Sequence, residues 1–201
     1  MKTKVVGIIF ILGSLYYLVA EAISAAFFNA SFVDTYIFNT ISALGIPNSD
    51  SPLFWLMNSA FILIGLILIL GNFCKFKDFI SKNRLVFYIF TLITSFGVII
   101  VGLIHGGNPL TSGYHTLGAV MAILGGNILL VLIAISMDEF KTYQKITLIL
   151  GTVGLAAFWI MFFNLGNVYM SVLERLSVYP LILWSFLTGV YLIKIQPYIK
   201  V

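Results

Sequence analysis

Six long apolar runs, separated by short segments that hold most of the charged side chains, constrain this chain more than any other feature. A helix that crosses a bilayer needs about 20 mostly apolar residues. Membrane barrel strands alternate in polarity over about 10 residues, and these runs do not. The sequence therefore predicts an all-α integral membrane bundle. Its six helices are predicted at about Val5–Ala26, Leu53–Phe73, Leu85–Ile104, His115–Met137, Ile146–Phe163 and Leu176–Ile195.

The composition excludes a soluble fold. Hydrophobic residues make up 61% of the 201 residues and charged residues only 9%, whereas soluble domains contain roughly 25% charged residues. So few charges cannot cover a surface that faces water, so lipid must be the outer solvent of the fold. Because no linker or low-complexity tract separates the runs, residues 1–201 are interpreted as a single transmembrane domain.

Positive charges occupy alternate connections between the runs, and this pattern predicts the orientation. Cytoplasmic loops of membrane proteins carry an excess of Lys and Arg. We therefore expect both termini in the cytoplasm, and we interpret the net charge of +4 as a mark of topology and not of nucleic-acid binding. The residues concerned are Lys2, Lys4, Lys75, Lys77, Lys82, Arg84, Lys141, Lys145, Lys194 and Lys200.

The first connection on the predicted outer side, about residues 27–52, has a helical pattern of its own. Its apolar residues recur at helical spacing, which predicts a short helix lying in the membrane interface. Ser51 and Pro52 are predicted to start the second span as N-cap and first-turn proline. The apolar residues of the pattern are Val33, Tyr36, Ile37, Ile41 and Leu44.

The strongly polar residues outside the lysine-rich segments cluster at the predicted outer face. Glu21 lies inside the first span, where a carboxylate needs a partner, a proton or a wet cavity. Arg175 is the only cation predicted on this side, and Glu21, Asp34 and Glu174 are its candidate partners. Arg175 could join helices or hold a ligand's anionic group. The candidate ligand-binding residues are Glu21, Asp34, His105, Asn108, His115, Glu174 and Arg175.

The two histidines flank one short, glycine-rich turn. Together with a carboxylate from Asp34 or Glu174, His105 and His115 would form a zinc site with an open position, where a bound water could become a nucleophile. No HExxH pattern supports this reading. Hydrogen bonding at helix ends and a metal-free ligand or proton role are the alternatives. We therefore expect no cofactor, with zinc as the alternative.

One face of the fourth span is lined with small residues. His115, Gly118, Ala122 and Gly125 share this face, and small residues at such spacing let another helix approach closely. The face is therefore predicted to pack against a neighbouring helix. Asn127 lies elsewhere on the helix and is predicted to form an interhelical hydrogen bond, with a ligand contact in the middle of the membrane as the alternative.

Several stretches resemble one membrane protein family. The segments 40–45 and 55–65 are similar to the opening of the family known as domain of unknown function 998. The segments 102–106 and 115–119 are similar to its middle, and the segment 174–179 with Trp184 is similar to its end. The resemblance implies a six-helix prokaryotic membrane protein, and hence a multi-pass protein of the plasma membrane. It implies no reaction, substrate or catalytic residue.

These observations lead to three hypotheses of function. In the first, a non-enzymatic membrane protein holds a lipid-like or small amphipathic ligand in an outward-facing polar pocket, where Arg175 binds the ligand's anion. In the second, a metal-assisted hydrolase or transferase acts on lipids at the outer leaflet. In the third, the chain is an assembly partner of another membrane protein. Whether the protein is an enzyme stays open. The expected partners are membrane lipid, a small amphipathic ligand, and another membrane protein or a second copy, without nucleic acid.

Overall fold

In the part of the chain that the structure describes, the fold consists of six long α-helices and one short α-helix, with two 3-10 helices in the connections. The computed structural model describes residues 2–138, 140–166 and 168–195, and this part of the chain contains no β-strand. All the α-helices except α2 are long and apolar enough to cross a membrane. The predicted helical membrane bundle is therefore confirmed. The helices are α1 (Thr3–Ala26), α2 (Phe32–Phe38), α3 (Phe54–Cys74), α4 (Arg84–Leu103), α5 (Ser112–Ser136), α6 (Lys141–Phe163) and α7 (Met170–Ile195).

Two predicted helix starts were wrong. α6 begins at Lys141 and not at Ile146, and α7 begins at Met170 and not at Leu176. The prediction treated charged residues near these starts as loop residues. A lysine in the first turns of a helix can extend its ammonium group to water, so it does not end the helix. In α7 the charge of Arg175 is paired inside the bundle, as described below.

The start of α3 also differs from the prediction. α3 begins at Phe54, with Leu53 in the N-cap position. Ser51 is fully buried, and its hydroxyl donates a hydrogen bond to the carbonyl oxygen of Leu44 at 2.6 Å. Ser51 therefore ties two parts of the first connection together instead of capping α3.

The six long helices form a closed ring. α1 packs on α3, α3 on α4, α4 on α5, α5 on α6, α6 on α7, and α7 on α1, while α5 also touches α7. Glycines permit the closest approaches. A Cβ atom on Gly97 of α4 would lie 2.5 Å from the backbone nitrogen of Ala122 and 2.8 Å from the carbonyl oxygen of Gly118, both on α5. The predicted packing of this small-residue face against another helix is confirmed.

The two ends of the bundle differ in character. The described chain ends and the connections after α3 and α5 lie at one end, which we call the lysine end. Its buried core includes Phe76, which is fully buried and packs edge-on against Trp184 with ring centroids 5.5 Å apart. We call the opposite end the Arg175 end. Which end faces the cytoplasm stays a prediction, and Lys200 lies outside the described residues.

The connection between α1 and α3 covers the Arg175 end. It contains α2 and a 3-10 helix at Ser42–Gly45, and we call residues 32–45 the cap. α2 contacts α1 and α7, and the 3-10 helix contacts α1 and α3. Ile41 and Leu44 of the cap are buried in the bundle. The predicted short helix is thus present, but it ends at Phe38 and does not continue through Leu44.

Candidate functional site

A buried ion pair joins the first and last helices at the Arg175 end. Nε of Arg175 donates to Oε1 of Glu21 at 3.0 Å, and only 5% of Arg175 and 0% of Glu21 are exposed. Of the three acidic partners that the sequence left open, the structure selects Glu21. A carboxylate at this depth needs such a partner, because burying a lone charge is costly. The pair therefore explains how Glu21 is tolerated inside a span.

Arg175 also holds the cap. Its Nη1 donates to the carbonyl oxygens of Tyr36 at 3.0 Å and Asn39 at 2.8 Å. The guanidinium carbon lies 4.6 Å from the centre of the Tyr36 ring, within the range of a cation–π interaction. Burial raises the pKa of the Tyr36 phenol, and the nearby Glu21 carboxylate raises it further. Arg175 therefore connects the cap to both α1 and α7.

Glu174 fixes the cap at a second point. Its Oε2 accepts a hydrogen bond from the backbone nitrogen of Ile41 at 2.6 Å. Ile41 directly precedes the 3-10 helix of the cap, so the carboxylate supplies an acceptor near the start of that helix. Glu174 and Arg175, two consecutive residues of α7, thus bind backbone groups of the cap. These contacts fix the position of the cap and do not depend on which side chains the bonded cap residues carry.

Several buried polar atoms near the ion pair have no hydrogen-bond partner among the described residues. They belong to a single face of α1 and to Arg175. The hydroxyl of Tyr179 donates to Oε1 of Glu21 at 3.1 Å, but Oε2 of the same carboxylate is unpartnered. A buried polar atom without a partner costs free energy, so each one calls for an explanation. The other unpartnered atoms are Tyr17 Oη, Ser24 Oγ and Arg175 Nη2.

A central cavity lies beneath the cap. It has a volume of about 50 Å³, measured as the space open to the centres of water molecules. Ile41 and Ser42 of the cap contribute to its lining, and Tyr17, Glu174 and Ser177 add polar groups. Most of the remaining wall is apolar and comes from α3, α4, α5 and α7. The cavity is therefore amphipathic, with a mostly apolar wall and a few polar residues, among them Asn127 of α5.

Arg175 does not line this cavity. Among the acidic and basic residues that the structure describes, Glu174 alone contributes to its lining. The guanidinium is buried against Glu21 and the cap backbone. The geometry therefore favours a structural role for Arg175, one of the two roles that the sequence left open.

The two histidines have separate surroundings. His115 is buried, and its Nδ1 lies 2.6 Å from the carbonyl oxygen of Ile104, so that nitrogen must be the protonated donor. His105 is partly exposed and lies against the Phe54 ring, with centroids 6.4 Å apart. His105 and Asn108 line an open pocket of about 550 Å³, and His115 does not contribute to it. For His115, hydrogen bonding at the end of a helix is the role the structure shows.

Asp34 belongs to the start of α2 and not to the ion pair. The hydroxyl of Ser31 donates to Oδ2 of Asp34 at 2.6 Å, and the backbone nitrogen of Asp34 donates back to that hydroxyl at 3.1 Å. Both residues are exposed. Such reciprocal bonding stabilises a helix N-terminus, so Asp34 has a local structural role.

No three His, Cys, Asp or Glu side chains among the described residues are placed to hold one metal ion. The geometry therefore does not support the three-ligand zinc site predicted from His105, His115 and a carboxylate. Metal binding by the histidines in another form stays a prediction.

Tyr17 and Ser42 were not predicted as cavity residues. Tyr36 and Tyr179 were not predicted as partners of the ion pair. One signal was present: Tyr17 precedes Glu21 by one helical turn and therefore shares its face. The contacts of Ser42 and Tyr36 depend on how the cap folds over the bundle, which helical periodicity does not report.

Comparison with known sequences identifies the family. The family described as "Protein of unknown function (DUF998)" matches residues 11–191, which is most of the chain. The chain belongs to the DUF998 family. No curated protein and no solved structure matches it. The resemblance noted in the sequence is confirmed, and this DUF998 protein has six candidate membrane spans. Since the DUF998 description carries no activity, the function must be inferred from the site itself.

Proposed function

We propose that this DUF998 protein binds a small amphipathic molecule in the central cavity beneath the cap. The observation that carries the proposal is the distribution of polarity in that cavity. Its lining combines a few polar residues, among them Ser42, Asn127 and Glu174, with a wall that is otherwise mostly apolar. Small-molecule sites are usually concave and mostly apolar, with a few polar groups that orient the ligand.

The cavity size restricts the ligand. A cavity of about 50 Å³ has room for a few water molecules or for an organic molecule of similar bulk. A whole lipid is too large. The proposal therefore keeps the small amphipathic ligand predicted from the sequence, and it replaces Arg175 with Glu174 and Tyr17 as the polar contacts.

A membrane lipid fits the outer surface of the bundle better than it fits the central cavity. An almost wholly apolar groove of about 520 Å³ runs across α7 between α1 and α6, and its lining includes Leu18, Leu150 and Leu183. Tyr179 also lines this groove, and its hydroxyl reaches Glu21. We propose that an acyl chain occupies the groove, with lipid acting as a structural partner distinct from the cavity ligand.

A substitution that fills the cavity tests the main proposal. Ala119 lines the cavity, so Ala119→Leu would place three extra carbon atoms in or beside it. Ala156→Leu makes the same chemical change on the exposed face of α6 and serves as the matched control. Native mass spectrometry of the protein released from nanodiscs made with its own membranes should show a small bound molecule in the wild type and the control. That molecule should be absent from Ala119→Leu. Equal retention in both variants would refute the proposal.

The other two hypotheses remain predictions with separate tests. A metal-assisted enzyme requires stoichiometric zinc that is lost in His105→Ala or His115→Ala, as measured by elemental analysis. An assembly partner requires a second membrane protein, or another copy of the chain, that co-purifies at a fixed ratio. A prokaryotic plasma membrane location is likewise proposed from the family resemblance.

A further inference from the structure

The charges around the cap do not balance. Glu21 pairs with the guanidinium of Arg175, whereas Glu174 accepts a hydrogen bond from the Ile41 backbone and has no ion-pair partner among the described residues. Nε of Arg175 is engaged by Glu21, and its Nη1 by backbone carbonyl oxygens. If both carboxyl groups are ionised, one negative charge is left without a counter-charge. A lone charge away from water is strongly unfavourable, so one of the two groups is favoured in its neutral form, and a cation placed beside it would stabilise the ionised form.

The carboxyl group that has no ion-pair partner belongs to a residue that lines the cavity. Glu174 is partly buried and lines the cavity, whereas Glu21 and Arg175 are not part of its lining. The carboxylate of Glu174 accepts a hydrogen bond from the Ile41 backbone nitrogen. A carboxylate has about four lone-pair sites, so capacity remains for a further donor. A ligand in the cavity would therefore meet a carboxyl group and not a guanidinium.

An independent observation points to the same place. Tyr17 is only 1% exposed and lines the cavity, yet its hydroxyl has no hydrogen-bond partner among the described residues. A phenol oxygen can accept a hydrogen bond as well as donate one. The residues around this small space thus include a carboxyl group and a buried phenol whose hydroxyl has no described partner.

We infer that the cavity selects a small organic cation, a primary ammonium group on a short apolar chain. This inference rests on the proposed function. The ammonium would donate to Glu174 and Tyr17, and the chain would contact the apolar wall. A bare metal cation fits poorly, because hard cations need about six or more oxygen ligands and most of this wall is hydrocarbon. An anion fits poorly because Glu174 would repel it.

Three probes with the same four-carbon chain separate the alternatives. Butylammonium, 1-butanol and butyrate differ mainly in the charge of the head group, and each is small enough for the cavity. Their dissociation constants for the full chain in detergent can be obtained from the concentration dependence of the thermal unfolding midpoint. The expected order of affinity is butylammonium, then butanol, then butyrate. Hydrogen bonds to charged groups contribute about 1.5–3 kcal/mol, so the ammonium should bind roughly tenfold to a hundredfold more tightly than the alcohol.

Two variants assign the preference to residues. Glu174→Gln removes the negative charge but keeps an oxygen for the Ile41 nitrogen, so the fold should survive. It should bind butylammonium no better than butanol. Tyr17→Phe deletes a hydroxyl that has no described partner, so it also should fold, and it should weaken butylammonium binding severalfold while leaving the order of the probes unchanged.

The outcomes distinguish this inference from the proposed function. If butanol binds as well as butylammonium to the wild type, the ammonium preference is wrong and the amphipathic cavity stands. A preference for butyrate would likewise overturn the inference. If butylammonium keeps its advantage in Glu174→Gln, the assignment to this carboxylate is wrong. If none of the probes shifts the wild-type midpoint and Ala119→Leu retains the native molecule, the proposed function itself fails.

Discussion

Removing the charge of Arg175 should destabilise the bundle, and removing its carboxylate partner as well should restore part of the loss. Arg175→Met leaves the Glu21 carboxylate buried without its 3.0 Å partner, and breaking a buried ion pair in this way costs about 3–5 kcal/mol. In the double variant Glu21→Gln/Arg175→Met no buried charge is left at this pair. Interaction energies between such neighbours are about 0.5–3 kcal/mol, so we expect the second change to recover roughly 1–3 kcal/mol.

The remaining loss has a separate origin in the cap. Both variants forfeit the hydrogen bonds from Nη1 of Arg175 to the carbonyl oxygens of Tyr36 and Asn39. At about 1 kcal/mol each, these bonds account for roughly 2 kcal/mol that Glu21→Gln cannot restore. The double variant should therefore lie between the single variant and the wild type in stability.

Unfolding in mixed micelles of increasing sodium dodecyl sulfate content measures these differences. The fully buried Trp184 provides a fluorescence signal from the core. Tyr179→Phe serves as a control, because it removes a hydroxyl that donates to Glu21 and leaves the charges of the pair in place, and it should cost about 1 kcal/mol. A double variant as unstable as Arg175→Met, or less stable, would refute the view that Glu21 needs the guanidinium to remain buried.

Three further changes test other parts of the structure. Asn127→Leu should cost about 1–2 kcal/mol in the same assay, because it removes a hydrogen bond between α5 and α7. Gly97→Ala should cost about 1–3 kcal/mol by overpacking the contact of α4 with α5, whereas Gly113→Ala should be close to neutral because nothing lies within 4 Å of the new Cβ. The hydrogen bond from Lys82 lowers the pKa of Asp138. The ion pair should therefore stabilise the fold above the ordinary pKa of aspartate, and this stabilisation should disappear as the pH falls through the lowered pKa of Asp138.

Each of these three predictions has its own control and an outcome that would contradict it. Asn164→Leu removes an exposed hydrogen bond to the Ile160 carbonyl oxygen in α6, and it should lower the stability less than Asn127→Leu does. Equal losses in Gly97→Ala and Gly113→Ala would contradict the packing explanation, because helix propensity favours alanine over glycine at both positions. For the ion pair at the lysine end, the stability difference between the wild type and Asp138→Asn should also shrink at high salt, because both side chains are exposed. A difference that is independent of pH and salt would contradict the electrostatic explanation.

The sequence predicted the spans well because hydropathy over about 20 residues is a strong physical signal. It predicted the interhelical hydrogen bond of Asn127, which donates to the carbonyl oxygen of Ser177 at 2.8 Å. It also predicted that Glu21 needs a partner, although Glu21, Asp34 and Glu174 were equal candidates to pair with Arg175. Where charges stand inside a span, as in the first turns of α7, hydropathy places the helix start too late.

The arrangement of the site was much less predictable. His105 and His115 are close in sequence and on the same side of the membrane, but the ring of His115 turns to a backbone carbonyl while His105 lies beside Phe54. Neither orientation is encoded by spacing along a helix. The central cavity depends on where the cap settles and on small gaps between five helices, and such gaps arise only from the packing of complete side chains.

The Glu21–Arg175 pair also affects how the protein is made. The two residues are separated by 154 positions, and at about 5–20 residues per second the ribosome adds Arg175 roughly 8 to 30 seconds after Glu21. During that interval the first helix must carry its carboxyl group without the guanidinium, either protonated or sheltered at a wetter boundary. Because α7 is synthesised last, the ring of helices closes and the Glu21 carboxyl group meets its guanidinium partner in a single step. Chains truncated before α7 should therefore expose Glu21 and be substrates for membrane quality control.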